Sequence, residues 1–169
     1  SPEEYVAIQL RDDNEVLVRC TGPYGQRLPE DPNKNIALRA ALNVRTKLGS
    51  QQGFSLEVFK EVPPGSGLGS SGASAAAGTA AANQAFGGGL GISEILSIAA
   101  DAESLASGTK HLDNVAPSLL GGFVAVIDQE KPAVERLHFP EDWRLAVILP
   151  HVTVHTAEAR AVLPESVPM

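Results

Sequence analysis

The 169-residue sequence contains a single cysteine and no apolar run long enough to cross a membrane. One cysteine, Cys20, excludes an internal disulfide, and its place in an apolar run predicts an unreactive core residue. The first residues do not have the pattern of a signal peptide. These absences predict a soluble cytoplasmic protein, or a plastid protein if the source is a plant.

The sequence also lacks an excess of basic residues. Its formal net charge is -7 at pH 7, which argues against nucleic acid or an anionic membrane as a partner. A small anionic ligand stays compatible with this charge, because it needs positive potential only at its own site. Apolar residues make up 43% of the chain, which predicts one compact domain with a sizeable core.

Hydrophobic periodicity predicts a mixture of strands and helices. The predicted strands are Tyr5–Leu10 and Glu15–Cys20 (joined by a turn at 12–14), Phe54–Val62, Gly122–Asp128 and Leu145–Leu149, with Val134–Phe139 pairing between the last two. Four helices are predicted. The first begins at a cap at Asn33 and ends at Gly49, and the second covers Ala73–Phe86. The third begins at a cap at Ser93 and ends at Ser107–Gly108, and the fourth covers Ala157–Leu163 after a cap at Thr156. The runs 122–128 and 145–149 are continuously apolar, which is typical of strands buried on both faces.

The segment Pro63–Gly72 lies between a predicted strand and an alanine-rich predicted helix. Its glycines let the backbone approach a ligand closely, and the first amides and the dipole of the helix favour an anion. Ser66, Ser70 and Ser71 add hydroxyls that can bind phosphate oxygens or a magnesium ion. A strand, a glycine loop and a helix N-terminus in this order predict phosphate binding.

Two familiar glycine motifs fit this segment less well. Gly67-x-Gly69-x-x-Gly72 has the spacing of a dinucleotide fingerprint, but residues 87–89 are glycines where an acidic residue should end a second strand. A Walker A loop needs a lysine followed by Ser or Thr after its last glycine, and Ser70-Ser71 follow Gly69 instead. A tight turn with a helix cap is the simplest alternative, but such a turn needs only one glycine.

Three further polar features depend on the fold for their meaning. Lys110–Pro117 clusters a base, a carboxylate and an amide, and fits a binding site and a capped polar turn equally well. Glu103 lies on the flank of the apolar stripe of its predicted helix, where it would face either water or a cleft. Thr156 and Arg160 are one helical turn apart, so that both can face one site, and an arginine directed at a cleft can bind a carboxylate in bidentate fashion.

Three stretches carry a resemblance to a known family. Pro63–Ser71 resembles the phosphate loop, Pro-x-x-x-Gly-Leu-Gly-Ser-Ser, of the kinase superfamily that includes galactokinase, homoserine kinase, mevalonate kinase and phosphomevalonate kinase. His111–Phe123, with the pattern His-x-Asp-Asn-Val-Ala-Pro-x-x-x-Gly-Gly-Phe, is similar to homoserine kinases and is more specific. Thr156–Pro164 also resembles homoserine kinases, and the resemblance extends over nearly the whole chain.

The resemblance implies an α+β fold with helices on one face of a mainly antiparallel sheet (ribosomal protein S5 domain 2-like). It also implies ATP-dependent phosphorylation of the hydroxyl of L-homoserine, on the route to threonine. The implied ATP contacts are Asn35 and Lys60, near the base and ribose, and the loop residues Pro64, Gly65, Ser66, Gly67, Leu68, Gly69, Ser70 and Ser71. Ser71 and Glu103 would bind magnesium.

The resemblance places the amino-acid substrate against His111, Asp113 and Arg160. The carboxylate of Asp113 suits the ammonium of homoserine, and the guanidinium of Arg160 suits its carboxylate. The implied catalytic residues are Asp113, Asn114 and Thr156. Mevalonate-type relatives use an aspartate as a base, whereas an asparagine at position 114 favours catalysis by positioning and charge stabilisation, with Asp113 positioning the substrate.

Two departures from the family pattern concern the ends of the chain. Nothing before Tyr5 resembles the opening motif Ala-Asn-Leu-Gly-Pro-Gly-Phe-Asp, and the glycine-rich motif of the C-terminal domain is not found before Met169. Residues 1–169 are therefore expected to be an N-terminal ATP-binding domain without its first strand, with weak nucleotide binding and little or no turnover. A missing strand would leave an open sheet edge, which makes a homodimer a candidate assembly.

Other functions agree less well with the sequence. Another small-molecule kinase of the superfamily, of the mevalonate or shikimate type, is disfavoured by residues 111–117 together with Arg160. A non-catalytic module that binds a partner is disfavoured by the intact phosphate loop and by Glu103. A dinucleotide-dependent oxidoreductase agrees least with the sequence.

Overall fold

The computed structural model describes residues 3–140 and 142–148, together with residues 162 and 164. Its strands are β1 (Glu4–Leu10), β2 (Val16–Thr21), β3 (Phe54–Lys60), β4 (Phe123–Asp128) and β5 (Ala133–Leu137). Its helices are α1 (Ile36–Lys47), α2 (Ser70–Ala85), α3 (Ile92–Ser107) and α4 (Val115–Leu120), with one 3-10 turn at Gly25–Arg27. This α+β arrangement confirms the predicted fold class.

Strand β3 is the centre of a three-stranded sheet. It pairs antiparallel with β1 on one side and parallel with β2 on the other. The two strands joined by the turn at residues 12–14 are therefore not neighbours, because β3 lies between them. The physical reason is burial, since Phe54, Leu56 and Val58 of β3 have almost no exposed surface, and a strand with such a face gains most from the central position.

The helices cover one face of this sheet and bury its apolar side chains. Phe54, Leu56 and Val58 pack in a cluster with Leu38 and Val44 of α1, and this cluster also includes residues of α2 and α3. The alanine-rich sequence of α2 lets α1 approach its backbone. A Cβ atom on Gly78 would stand 2.4 Å from the carbonyl oxygen of Ala37, so only glycine permits this spacing.

Three helices begin at residues other than the predicted ones. Helix α1 is capped by Asn35 rather than Asn33, because the Asn35 side chain accepts the hydrogen bond from the Leu38 amide at 3.0 Å. Helix α3 is preceded by Gly91 rather than capped at Ser93, and the Gly91 amide donates to Glu94 Oε2 at 3.2 Å. Helix α2 begins at Ser70, within the glycine segment. The predicted end of α3 at residues 107–108 is confirmed.

A second, two-stranded sheet follows α4. Strands β4 and β5 pair antiparallel, which confirms strand pairing by the segment that begins near Val134. The predicted strand at Leu145–Leu149 is wrong over residues 145–148, which form no regular structure. Leu145 and Ile148 are 81% and 89% exposed, and Phe123 and Ile127 of β4 are 55% and 66% exposed, so neither apolar run is buried on both faces as predicted. The predicted helix at 157–163 lies outside the described residues apart from position 162.

Candidate functional site

The glycine loop, residues 61–69, connects the end of β3 to the start of α2. Gly65, Gly67 and Gly69 all have positive φ angles, between 69° and 77°, a region that residues with a side chain rarely adopt. Two serine hydroxyls hold the loop from within. Ser66 Oγ donates to the carbonyl of Pro63 at 2.7 Å, and Ser70 Oγ donates to the carbonyl of Val62 at 3.1 Å. The first amides of the 16-residue helix α2 follow directly.

One carboxylate reaches this helix N-terminus from α3. Glu103 is only 5% exposed, and its Oε1 accepts a hydrogen bond from Ser71 Oγ at 3.0 Å. Glu103 therefore packs against the start of α2 rather than facing bulk water, a choice that its spacing in the sequence left open. A serine hydroxyl and a carboxylate are hard oxygen ligands of the kind that Mg²⁺ prefers.

The turn before α4 closes the other side of the helix N-terminus. Asn114 precedes α4 and lies against the loop, because a Cβ on Gly69 would stand 2.8 Å from Asn114 Oδ1 and one on Gly72 would stand 2.7 Å from Asn114 Cβ. Asp113, the neighbouring residue, is exposed. The structure thus brings together the loop, Ser71, Glu103 and the turn at 113–114, which lie far apart in the sequence.

His111 lies in the same polar segment, and a side chain from the β4–β5 turn contacts this segment. Gln129 Oε1 accepts a hydrogen bond from the Leu112 amide at 2.9 Å, and Gln129 Nε2 lies 3.4 Å from His111 Nδ1. Thr109 Oγ1 lies 2.7 Å from His111 Nε2. Gln129 also lines a cavity of about 330 Å³ with Leu112. Sequence reasoning missed Gln129, because nothing near position 129 indicates a contact 17 residues away.

Two residues predicted to contact the nucleotide, Lys60 and Asn35, are buried in the fold. Lys60 is 1% exposed, and its ammonium donates to the carbonyl of Ser70 and to Ser74 Oγ, both at 2.8 Å, and to Glu4. Burial lowers the pKa of Lys60, and the carboxylate of Glu4 acts in the opposite direction. Asn35, also buried, donates from Nδ2 to the carbonyl of Pro29 at 2.8 Å in addition to capping α1.

Thr156 and Arg160 lie outside the described residues. Within the part of the chain that the structure describes, no three His, Cys, Asp or Glu side chains form a cluster that could hold a metal ion by themselves. Ser71 and Glu103 would fit magnesium as a pair of protein ligands, with the remaining positions taken by water and phosphate oxygens, as is usual for this ion. Within those same residues, no helix has both the length and the apolar character needed to cross a membrane.

Comparison with known proteins identifies the family. The sequence profile of the GHMP kinases N terminal domain matches residues 35–122, just over half of the chain. The chain belongs to the GHMP kinase family. The match includes the glycine loop, Glu103 and the turn at 113–114, so the convergent residues described above lie in the part of the chain that defines the family.

Individual members of the family are similar over more of the chain. The homoserine kinase of Natronomonas pharaonis is 38% identical over 164 residues, which are 96% of this chain and 52% of that protein. The crystal structure of homoserine kinase from Cytophaga hutchinsonii superposes with a TM-score of 0.86 and 36% identity, covering 100% of this chain and 54% of the other. The chain spans about half the length of the curated relatives it matches.

A more distant structure shares the fold alone. The mevalonate kinase of Methanococcus jannaschii has a TM-score of 0.61 at 15% identity, over 79% of this chain and 45% of that one. The resemblance to the kinase superfamily is therefore confirmed at the level of family and fold.

Proposed function

We propose that this chain carries the ATP-binding domain of a kinase that phosphorylates the hydroxyl of L-homoserine. The observation that carries the proposal is the convergence of the glycine loop with the hydrogen-bonded pair Ser71 and Glu103 at the N-terminus of α2. The similarity to homoserine kinases over most of the chain supports the choice of substrate. The product, O-phospho-L-homoserine, belongs to threonine biosynthesis.

The loop would hold the triphosphate of ATP. Backbone amides at a helix N-terminus bind anions, and glycines without side chains leave those amides accessible. The hydrogen bonds of Ser66 and Ser70 to loop carbonyls fix the loop before any ligand arrives. A loop that is already ordered loses less conformational freedom on binding, which raises affinity.

Ser71 and Glu103 would hold magnesium beside the phosphates. When bound, this ion neutralises phosphate charge and so supplies electrostatic stabilisation of phosphoryl transfer. Ser71 lies on the first turn of α2 and Glu103 on α3, so the packing of these two helices sets the distance between the two ligands. The burial of Glu103 keeps its carboxylate oriented towards Ser71.

The acceptor side of the site would be built by the segment 111–114 together with Thr156 and Arg160. Asp113 would attract the ammonium of homoserine, Arg160 would bind its carboxylate, and His111 would contact the same substrate. Asn114, which lies against Gly69 and Gly72, would position the hydroxyl next to the phosphate loop. Thr156 would lie near the reacting centre.

In the transfer step the hydroxyl oxygen of homoserine forms a bond to the γ-phosphorus. The bond from that phosphorus to the β–γ bridging oxygen breaks, ADP leaves, and the hydroxyl proton passes to solvent. Phosphoryl transfer depends mainly on alignment and charge stabilisation. The Asn114 amide, beside the substrate-binding carboxylate of Asp113, would therefore suffice for phosphoryl transfer without a dedicated general base.

Titration calorimetry of this chain with ATP, with and without magnesium, tests the nucleotide site. We expect binding that strengthens when magnesium is present. Gly69→Ala should weaken it, because the new Cβ would overlap Asn114, whereas Gly49→Ala is the matched control: Gly49 has the same φ of 69°, but nothing lies within 4 Å of its Cβ position. Absence of binding, or equal loss in both variants, would contradict the proposed site.

A substrate panel tests the acceptor. In the intact protein that carries this domain, ADP release should be stimulated by L-homoserine and not by mevalonate or shikimate at the same concentration. Stimulation by mevalonate alone would reject homoserine as the substrate while leaving the nucleotide site intact.

A further inference from the structure

Lys60 places a buried cation directly under the phosphate loop. It ends the inward-facing series Phe54, Leu56 and Val58 of β3, a position where an apolar residue would ordinarily lie. Its ammonium has three donors, and the structure provides three acceptors: the carbonyl of Ser70, Ser74 Oγ and the carboxylate of Glu4. With all three donors bonded inside the protein, Lys60 has no donor left for a nucleotide.

Glu4 supplies the counter-charge from the neighbouring strand. It is the residue directly opposite Lys60 in the antiparallel pairing of β1 with β3. Its side chain is almost fully buried, and its second carboxylate oxygen accepts a hydrogen bond from Ser74 Oγ at 2.5 Å. Glu4, Lys60, Ser74 and the Ser70 carbonyl form a closed polar cluster, called here the loop anchor.

The loop anchor joins the two ends of the glycine loop. Lys60 is the last residue of β3 and Ser70 the first of α2, so the contact between them at 2.8 Å closes residues 61–69 into a ring. Ser74, one turn further along α2, extends this attachment into the helix. The first turn of α2 is thereby fixed against the end of the sheet.

The stability of the fold does not by itself explain why a charged pair lies at this position. A buried ion pair seldom stabilises a fold more than well-packed apolar residues of the same size do. A cation near a helix N-terminus is also on the unfavourable side of the helix dipole. The cluster does provide directional bonds to one particular carbonyl, and apolar side chains cannot supply these.

We infer that Glu4 and Lys60 are positioning residues, which hold the start of α2 in register with β3 so that the loop amides are prearranged for the triphosphate. This inference rests on the proposed nucleotide site. Without the anchor the loop would have to be ordered when the nucleotide binds, and the cost would show as lower affinity.

The decisive variant replaces the pair by apolar side chains, Glu4→Leu with Lys60→Met. Lys60→Met alone leaves the buried Glu4 carboxylate without its counter-charge and should destabilise the chain strongly, whereas the double variant should recover most of that stability. We expect the Kd for ATP with magnesium to stay about tenfold above the wild-type value in the double variant, because the bond to the Ser70 carbonyl is still missing. A Kd that returns to the wild-type value along with stability would overturn the inference.

Two controls separate positioning from general destabilisation. Val44→Ala weakens the core at α1, among the residues packed around Phe54 at the opposite end of β3, and should lower stability without changing Kd. Ser74→Ala keeps both charges and should raise Kd about threefold; if the double variant does not fold, an unchanged Kd in Ser74→Ala overturns the inference.

Amide hydrogen exchange distinguishes this inference from the proposed function. Exchange at residues 65–72 should be faster in the double variant than in the wild type at matched stability, even if neither protein binds ATP. Equal exchange rates would reject the anchor. Absence of ATP binding in the wild type with faster exchange in the variant would reject the nucleotide site alone.

Discussion

Ser71 and Glu103, 32 residues apart in the sequence, meet where the first turn of α2 crosses α3, and the serine hydroxyl donates to the carboxylate at 3.0 Å. The contact gives a buried carboxylate a defined orientation at the end of a phosphate-type loop. The hydroxyl that now donates to Glu103 can turn its lone pairs towards a cation, so the same two groups fit a shared magnesium ion.

Ser71→Ala and Glu103→Gln should remove most of the effect of magnesium on ATP binding. Each variant deletes one oxygen ligand or its charge, and losses of about tenfold or more in metal-dependent affinity are typical of such changes. Calorimetric Kd values with and without magnesium provide the measurement. Ser55→Ala on β3 is the control. If magnesium strengthens ATP binding in both site variants as much as in the wild type, Ser71 and Glu103 are not magnesium ligands.

Gly78→Ala should destabilise the fold although alanine favours helices. Its Cβ would stand 2.4 Å from the carbonyl oxygen of Ala37, so α1 and α2 would have to separate. We expect a loss of about 1–3 kcal/mol, the range for overpacked sites, measured by urea unfolding. Gly89→Ala meets only the Leu48 side chain at 3.6 Å and should change stability little. Equal effects of the two substitutions would contradict the close helix contact.

Cys20 should react slowly with iodoacetamide in the folded chain. Burial raises the pKa of the Cys20 thiol, and a hydrogen bond from Asn35 only partly opposes this. At about pH 8.5, where an unperturbed thiol is half ionised, the thiolate fraction is therefore smaller in the folded protein. Labelling followed by mass spectrometry reports on this one site, and the same chain in urea is the control. Equal labelling rates in the two states would contradict a partly buried thiol with a raised pKa.

Glu94 should contribute to stability only above acidic pH. The amide of Gly91, followed by the ammonium of Lys47, lowers the pKa of Glu94. Since the folded pKa lies below the unfolded value of about 4.3, the contribution is complete above that value and is lost as the pH falls through the folded pKa. Glu94→Gln should thus lower the urea midpoint at about pH 7 but not at about pH 2.

The control for this pH dependence is Glu57→Gln, which alters an exposed carboxylate on β3. It shows what the loss of one negative charge does to the urea midpoint at a site that is not a helix start. If the urea midpoints of Glu94→Gln and the wild type differ by the same amount at every pH, the stabilising contact between Glu94 and the Gly91 amide is rejected.

Local signals predicted the elements around the site well. Alternating apolar residues identified β3, and the glycine and serine spacing identified the loop, because both depend on neighbours in the sequence. The start of α3 also had a local signal. Glu94 lies three residues after Gly91, which is the spacing of an acidic residue in a capping box, and this spacing points to Gly91 rather than Ser93. Asn33 and Asn35 could not be separated by residue type, and only the reach to the Leu38 amide decides between them.

Long-range packing accounts for what the sequence did not predict. The insertion of β3 between β1 and β2, the orientation of Glu103 towards Ser71, and the Glu4–Lys60 pair each join residues more than 30 positions apart. An apolar run such as 145–148 has no internal mark that distinguishes a buried strand from an exposed segment. The roles of His111, Asp113, Asn114, Thr156 and Arg160, and the homodimer, stay predictions.

The central position of β3 determines when this domain can fold during synthesis. β1 and β2 are synthesised before β3, with which both pair, and Glu4 finds its cation 56 residues later. Until Lys60 has emerged, β1 and β2 lack their shared partner strand and the Glu4 carboxylate must stay hydrated, a state exposed to misassociation. Such non-local pairing is slow, so the ordering of the phosphate loop is tied to the closure of the whole sheet.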